Sequence, residues 1–291
     1  MALPPKPWPI GTTEQLEPLV RRVLAPNGSP YTFTGTQTYL VGSPDGLAVI
    51  DPGPDMPEHL EALAQAIGGT PVLAICCTHT HRDHSPAAAP LSALTGAPII
   101  GCAPLVLQSD EPRADVPFDA DYAPDQVLAD GESVTGPGIT LTAVATPGHT
   151  SNHLCFALEE SGALFTGDHI MGWSTTVVAP PDGDMADYMA SLDKLHGRSD
   201  RIYYPAHGPA VTNPRQLVRG MIGHRRQRER QIVRLLTEGG TAQVAGLVPQ
   251  MYKGLPEVLL PAAGQSVLAH LIEMEQRGVV TRSGNHWTIA G

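Results

Sequence analysis

The segment HTHRDH at positions 79–84 constrains this chain more than any other feature. It places three histidines and an aspartate within six residues, directly after a continuous apolar run typical of a strand buried on both faces. Side chains two positions apart at the extended end of a strand point the same way, so His79 and His81 can reach one metal ion. Asp83 and His84 begin the next turn and can reach a second, because imidazole and carboxylate groups suit zinc and similar divalent metals.

Four further residues of ligand type each follow a predicted strand. They are Asp51 in VIDPG, His149 in TPGHT, Asp168 in FTGDH and His207 in YPAHGP. A lone histidine is usually a hydrogen-bonded core or surface residue. The functional sites of open α/β sheets gather beyond the carboxyl ends of the strands, however, and here several separate elements supply ligand types at that edge. The set as a whole therefore predicts a metal site.

Strand and helix patterns alternate along the first 210 residues, which indicates a layered α/β fold. The predicted strands cover 38–41, 47–50, 72–77, 98–101, 139–146, 154–158, 163–166 and 202–204. The predicted helices cover 57–67, 185–195 and a segment to about residue 94 that Ser85 caps and Pro86 opens. Residues 111–125 hold three prolines and five acidic side chains, so we predict an irregular loop there that acts as a lid over the site.

The charge pattern changes near residue 210. Residues 1–210 carry eight Lys and Arg against 24 Asp and Glu, a balance of −16, whereas residues 211–291 carry a balance of +5. A long arginine-rich helix is predicted from Pro214 to about Thr237, followed by helices over 241–251 and 265–276 and a hairpin over 279–289. We therefore predict a catalytic domain at 1–213, a basic connecting helix at 214–238 and a winged-helix-like domain at 239–291.

Compartment is predicted from features that the sequence lacks. The first residues have no apolar secretion signal, no window approaches 18 uncharged apolar residues, and the four cysteines have no CxxC spacing. We therefore expect a cytoplasmic protein without a membrane span.

In these motifs the chain resembles the metallo-β-lactamase superfamily, and the resemblance implies an αββα sandwich hydrolase with two divalent metal ions. The implied metals are zinc first, with manganese or iron as alternatives. One ion would be bound by His79, His81 and His149, the other by Asp83, His84 and His207, and Asp168 would bridge them. Asp51 would hydrogen-bond the metal loop and hold it in place.

A closer resemblance, to the β-lactamase-like protein 2 subfamily with its winged-helix tail, covers nearly the whole chain. The matching stretches are GTQTYLVG at 35–42, TPGHTSNH at 146–153, DYMASLDKL at 187–195, YPAHGP at 204–209 and HRRQRERQI at 224–232. Two positions depart from the subfamily pattern: Gln37 stands where Asn is expected, and His169 where animal members have Cys. We predict that His169 supports the site rather than binding metal.

The ligand set implies a mechanism in which a metal-bridging hydroxide attacks an ester, thioester or lactone carbonyl. Asp83 or Asp168 would pass a proton toward the leaving group. Met171 and Trp173, just after Asp168, can line an acyl pocket, although the alternative is that they only pack under the sheet.

Three other functions remain open. A single-strand endoribonuclease is the main alternative, with the arginine helix guiding RNA, although the acidic first 210 residues disfavour a polyanion. Antibiotic hydrolysis is a minor alternative, because true β-lactamases usually lack the bridging Asp168 and no cysteine stands at a ligand position. A winged-helix regulator that reads DNA is disfavoured by Glu273 and Glu275 on the presumed recognition helix. The tail can instead pack on the catalytic unit or mediate self-association.

Overall fold

The structure is a computed structural model that describes residues 3–106 and 118–291. Two sheets dominate it, one of seven strands in the order β1-β2-β3-β4-β5-β6-β7 and one of five in the order β12-β11-β10-β9-β8. The first sheet consists of β1 (Thr13–Glu17), β2 (Val20–Leu24), β3 (Gln37–Ser43), β4 (Gly46–Ile50), β5 (Val72–Cys77), β6 (Ile99–Gly101) and β7 (Gln126–Val127). The second consists of β8 (Ser133–Gly136), β9 (Ile139–Ala145), β10 (Leu154–Leu158), β11 (Ala163–Gly167) and β12 (Ile202–Pro205).

The two sheets face each other across one apolar core, because residues alternate along the strands of the second sheet. Leu154, Phe156 and Leu158 of β10 join the core shared with the first sheet, whereas Cys155 and Ala157 face the opposite side. Helices α1 (Pro57–Ile67) and α2 (Ala88–Thr95) pack on the first sheet, and α3 (Met185–His196) and α4 (Pro214–Gly239) pack on the outer face of the second. The predicted layered α/β fold is confirmed.

Strand direction brings the loops that carry ligand types to one edge. Strand β4 runs parallel to β5, and β11 runs parallel to β12. Asp51 follows β4, His79 follows β5, Asp168 follows β11 and His207 follows β12. Parallel neighbours end at the same edge of a sheet, so the sheet topology itself collects these residues.

The C-terminal part forms a small unit with its own core. It contains β13 (Thr241–Ala242), α5 (Val244–Met251), a 3₁₀ turn (Glu257–Leu259), α6 (Leu260–Gln276), β14 (Val280–Ser283) and β15 (His286–Ile289), with the strands in the order β13-β15-β14. Trp287 is 1% exposed at the centre of this core. The predicted winged-helix architecture is confirmed.

Three local predictions were wrong. Thr241 and Ala242 form a strand rather than the start of a helix, because they pair with Thr288 and Trp287 of β15. Helix α6 begins at Leu260, five residues before the predicted start at Gln265, with Pro261 in its first turn. Ser85 does not cap α2.

The Ser85 hydroxyl instead donates to the Asp119 carboxylate at 2.8 Å, and α2 begins at Ala88 without a side-chain cap. The Ser85 side chain thus bonds a distant carboxylate, whereas the prediction assumed that it accepts from a backbone N–H in the first turn of the helix.

Helix α4 contributes to two cores. Val218 and Met221 pack against the second sheet and α3, whereas Ile232 and Leu236 pack in the core of the C-terminal unit. Helix α6 also packs against α3, and its Ala269 joins the core beside the second sheet. The domain limits at 213 and 238 stay a prediction. In the part of the chain that the structure describes, every helix is too short or too polar to cross a bilayer.

Candidate metal centre

Three histidine nitrogens from two loops converge at the sheet edge. His79 Nε2 lies 3.0 Å from His81 Nδ1, and His149 Nε2 lies 3.1 Å from the same His81 atom. All three side chains are at least nine-tenths buried. Two nitrogen ligands at the usual distance from a tetrahedral zinc ion lie about 3.3 Å apart, so these spacings match a three-nitrogen ligand set.

A second group adjoins the first. His84 Nε2 lies 3.3 Å and His207 Nε2 lies 3.1 Å from Asp83 Oδ2. These three residues come from the 79–84 loop and from the loop after β12, and their ligand atoms all lie within 4.8 Å of one another. The geometry is that of a two-nitrogen, one-oxygen ligand set.

The Asp168 carboxylate lies between the two groups. Its Oδ2 atom is 3.8 Å from His149 Nε2 and 3.6 Å from His84 Nε2, and its Oδ1 atom is 3.3 Å from His207 Nε2. One carboxylate thus faces a nitrogen of the first group and two nitrogens of the second. This is the position from which a carboxylate can bridge two ions.

Hydrogen bonds on the far side of each ring set which nitrogen faces inward. His149 Nδ1–H donates to Val177 O at 2.7 Å, and His207 Nδ1–H donates to Gly35 O at 3.2 Å. His84 Nδ1–H donates to the Asp51 carboxylate at 3.0 Å. In the neutral ring each donation directs the Nε2 lone pair into the cluster, as metal binding requires.

Thr78 extends the same arrangement to His79. Its hydroxyl donates to Asp51 Oδ2 at 2.8 Å and accepts from His79 Nδ1–H at 3.0 Å. Asp51 also accepts from the Thr78 backbone N–H at 2.8 Å. The Asp51 carboxylate thus holds Thr78 and His84, which lie at the two ends of the loop that carries the histidines. The Asp51 backbone has a φ of +48°, which a residue with a short polar side chain tolerates.

Burial and neighbouring charges lower the pKa values of His79 and His81 in the first group and raise the pKa of His84 in the second. Burial, followed by the neighbouring His149, lowers the pKa of His81 to about 3, and burial with His84 and His81 lowers the pKa of His79 well below its usual value. Burial would also lower the pKa of His84, but Asp83 and Asp168 overcome it and raise that pKa well above its usual value. The two carboxylates therefore draw positive charge toward the second group.

The residues fit divalent metal ions. Among the described residues the buried atoms His84 Nε2 and Asp168 Oδ1 find no hydrogen-bond partner. Asp51, Asp83 and Asp168 form no ion pair with Lys or Arg within residues 3–106 and 118–291. Buried carboxylates without cationic side chains are expensive unless a metal compensates them. A donor set of imidazole nitrogens and carboxylate oxygens suits zinc, iron and manganese and disfavours calcium and magnesium.

Two supporting residues were missed by sequence reasoning. Besides Thr78, the buried His153 accepts from the Asp168 backbone N–H through Nε2 at 3.2 Å, while its Nδ1 bonds the Thr146 hydroxyl. His153 stood in the quoted stretch TPGHTSNH, so the signal was present, but only the fold shows that it faces the Asp168 turn.

Gln37, which stands where the subfamily pattern has Asn, supports the loop after β12. Its amide donates to Pro205 O at 3.0 Å and to Gly208 O at 2.6 Å, on either side of His207. The extra methylene of Gln relative to Asn lets the side chain span from β3 to that loop.

His169 belongs to neither of the two ligand groups. It is fully buried, its ring lies 4.7 Å from the Tyr188 ring, and neither ring nitrogen has a hydrogen-bond partner. Burial first, with His149 and Arg225 adding to it, lowers its pKa to about 3.

Met171 and Trp173 line an open groove of about 740 Å³ between the loops after β11 and β12 and the first half of α4. Trp173 also stacks on Phe33, with ring centroids 4.9 Å apart, and packs on Gly208. Met171 and Trp173 therefore line a groove, and Trp173 also packs against neighbouring residues, so both alternatives stay open.

The predicted lid at 111–125 is described only from Phe118 onward, and residues 111–117 lie outside the described residues. Its described part contacts the metal loop, because Asp119 N donates to Thr80 O at 2.7 Å and Phe118 forms a β-bridge with His81.

The chain is an αββα sandwich, because two sheets face each other and helices cover their outer sides. Its candidate metal centre lies at the sheet edge where the histidines and aspartates meet. Residues 31–207 match the family model described as metallo-beta-lactamase superfamily, and residues 244–287 match that of the beta-lactamase associated winged helix domain.

Similar proteins cover nearly the whole chain. A beta-lactamase-like protein 2 homolog of Caenorhabditis elegans is 32% identical over 92% of this chain and 88% of its own length. An atrochrysone carboxyl ACP thioesterase of Aspergillus chevalieri is 32% identical over 97% of this chain and 91% of its own. A solved beta-lactamase domain protein from Burkholderia ambifaria has a TM-score of 0.79 at 21% identity, over 96% of this chain and 95% of that one. This chain belongs to the metallo-β-lactamase superfamily and is a hydrolase.

Proposed function

We propose that the chain is a dinuclear metal hydrolase that cleaves an ester or thioester. The observation that carries this proposal is the position of the Asp168 carboxylate between two ligand groups whose nitrogens face inward. The first ion would be held by His79, His81 and His149, and the second by Asp83, His84 and His207.

Zinc is the metal that we favour, with iron or manganese as the alternatives to be separated by metal analysis. The first group offers three nitrogens and the second mixes nitrogen and oxygen, which suits borderline divalent ions. When bound, two such ions lower the pKa of a water between them and polarise the scissile carbonyl.

The side chains of the chain itself would supply orientation and proton transfer. Asp168 faces both groups and Asp83 lies 17% exposed at the rim, so either carboxylate can accept a proton and pass it to a departing thiolate or alkoxide. The hydrogen bonds from His84 to Asp51 and from His149 to Val177 O hold the imidazoles in one tautomer and one orientation.

Three observations favour an ester or thioester substrate. Relatives that match nearly the whole chain carry the name ACP thioesterase. Residues 1–210 have a charge balance of −16, which repels a polyanion. The groove beside Met171 and Trp173 is lined mostly by apolar surface, as an acyl group requires.

The test compares turnover of an acyl-coenzyme A thioester panel and of lactones by the zinc-loaded protein and by His79→Ala and Asp168→Asn variants. We expect each variant to lose more than the roughly 100-fold that removal of an outer hydrogen-bond partner costs, and to bind less metal. The exposed His286→Ala variant is the matched control. Full activity in either site variant would disprove the two-metal assignment.

A single-strand endoribonuclease is the second candidate, and an exposed basic stripe on α4 favours it. The stripe consists of Arg215, Arg219, Arg226, Arg230 and Arg234, which project from one side of the helix. Within the described residues none of these five forms an ion pair. Cleavage of labelled single-stranded RNA that is lost in Arg226→Glu and Arg230→Glu, while thioester turnover is absent, would establish this function instead.

Two arginines of the same helix do not belong to the stripe. Arg225 is 2% exposed, and Arg228 donates to Met251 O at 2.7 Å while its guanidinium lies 4.0 Å from the Tyr252 ring centroid. Arg225 and Arg228 thus bond within the chain, and an RNA contact by α4 would involve only the exposed stripe.

We also propose a reducing, cytoplasmic location. All four cysteines are buried free thiols, and burial raises the pKa of Cys76 to about 12, so they remain protonated.

A further inference from the structure

Residues 176–178, which we name the strap, connect two candidate metal ligands to each other. The Thr176 hydroxyl donates to Asp168 O at 2.6 Å and lies 3.1 Å from His169 O. The next residue, Val177, accepts from His149 Nδ1–H through its carbonyl oxygen at 2.7 Å. The bridging carboxylate and a histidine of the first group thus both depend on where the strap lies.

The strap is in turn held by the C-terminal helices. Arg225 of α4 donates from Nη2 to Thr176 O. Ser266 of α6 receives a longer hydrogen bond from Val178 N, at 3.5 Å. Both anchoring side chains are buried, at 2% and 5% exposure. The candidate metal ligand His149 is therefore linked, through the strap and two hydrogen bonds, to an arginine of α4, the helix that continues into the core of the C-terminal unit.

The surroundings of Arg225 show that its position is costly. In the parts of the chain that are described it has no carboxylate partner, and its guanidinium lies 4.9 Å from the Tyr188 ring centroid. A buried guanidinium without an anion is unfavourable unless its hydrogen bonds and ring contacts compensate. Tyr188 itself donates to His169 O at 3.1 Å, so the aromatic partner of Arg225 touches the same Asp168 turn.

A nearby histidine is neutral, which leaves the charge of this region on Arg225. Burial, with Arg225 as the next cause, lowers the pKa of His270 on α6 to about 3. A positive charge held beside the Tyr188 ring and aimed at one backbone carbonyl is the arrangement of a group that orients a loop.

We propose that Arg225 is a positioning residue through which the C-terminal helices set the geometry of the metal centre, by way of the strap. The proposal rests on the proposed metal ligands, since it assigns Arg225 an effect on His149 and Asp168. Ser266 of α6 would connect the winged-helix unit to the same strap, in addition to any role of that unit in substrate recognition.

A purely structural role predicts a different result. If Arg225 only joined the two units, its removal would lower the unfolding temperature of the metal-free and zinc-loaded forms alike and leave zinc affinity unchanged. A positioning role predicts a change in zinc affinity itself, because a displaced strap removes the acceptor that fixes the His149 tautomer.

The experiment titrates the full-length protein with Zn²⁺ alone against a chromophoric chelator and resolves two binding events. We expect Arg225→Gln to weaken at least one event by about 10-fold to 100-fold. Arg225→Lys should retain part of the affinity, because an ammonium group can still donate to Thr176 O. The matched control is Arg226→Gln, one residue along the helix and exposed, which should bind Zn²⁺ like the wild type.

Each outcome decides between the proposals. Wild-type affinity for both Zn²⁺ ions in Arg225→Gln overturns this inference and leaves the proposed metal centre intact. A wild-type protein that binds no Zn²⁺ overturns both. If Arg225→Gln does not fold, Arg225→Lys and Ser266→Ala decide, and unchanged affinity in both of these variants overturns the inference.

Discussion

Asp51→Asn tests whether a carboxylate outside both proposed ligand groups controls metal binding at one of them. Asp51 accepts three hydrogen bonds, two from Thr78 and one from His84 Nδ1–H, at 2.8–3.0 Å. Asparagine keeps the shape and tolerates the φ of +48°. Its amide nitrogen, however, replaces one acceptor with a donor in either orientation.

The magnitude follows from which acceptor is lost. Where the amide nitrogen replaces Oδ2, it faces two donors, the Thr78 hydroxyl and His84 Nδ1–H. His84 can relieve the conflict by moving its proton to Nε2, which then donates toward Asp83 and Asp168 and has no lone pair left for a metal ion. Such a change weakens metal binding by about 10-fold to 100-fold, or about 1.4–2.7 kcal/mol. The metal-free protein should lose about 1.5–3 kcal/mol of unfolding free energy with the charged hydrogen bond.

The assay is a zinc competition titration combined with metal analysis after dialysis. We expect Asp51→Asn to retain one tightly bound equivalent, at the His79 group, and to lose the second, because His84 belongs to the other group. Asp45→Asn, at the exposed β3–β4 turn, is the control and should retain both. Two equivalents with wild-type affinity in Asp51→Asn would refute the tautomer reasoning, and equal loss of both would show instead that the Asp51–Thr78–His79 hydrogen bonds matter as much as the one to His84.

Three further predictions concern stability. Gly148→Ala should lower the free energy of unfolding, measured in a urea titration, by about 3 kcal/mol or more. The reason is that Gly148 has a φ of +130° and a new Cβ would lie 2.3 Å from the Tyr188 backbone. In the control Gly223→Ala on α4 the new Cβ meets nothing within 4 Å, so the change should be neutral or slightly stabilising. Trp287→Ala should cost about 3–5 kcal/mol, since its side chain fills the C-terminal core, whereas loss below 1 kcal/mol would contradict that packing. Removal of metal with a chelator should lower the melting temperature, and Zn²⁺ but not Ca²⁺ should restore it; a melting temperature that is equal in both forms would argue against any bound ion.

Local patterns in the sequence predicted most of the fold. Helix α1 and strand β5 have the predicted limits, because Pro57 and Gly68 mark the ends of the helix and six apolar residues form the strand. Failures occurred where a distant partner replaced a local one. Ser85 bonds Asp119 instead of capping α2, and Thr241 pairs with β15 instead of starting a helix.

The candidate site likewise has features that local sequence patterns predict and features that they do not. Motifs following strands indicate the ligand types, since spacing within one loop and position at a strand end are local properties. The supporting hydrogen bonds join residues far apart in the chain, such as His153 to the Asp168 turn and Gln37 to the His207 loop, and no local pattern encodes them.

The sequence by itself determined which residues can bind metal, where the strands that present them end, and that a helical unit with a hairpin follows. Only the tertiary structure decided the tautomer of each imidazole, the inward direction of Arg225 and the strap between the two units. The physical reason is that ligand chemistry belongs to the side chain alone. The orientations of His84, His149 and His207, however, depend on acceptors that chain folding brings from more than 20 residues away.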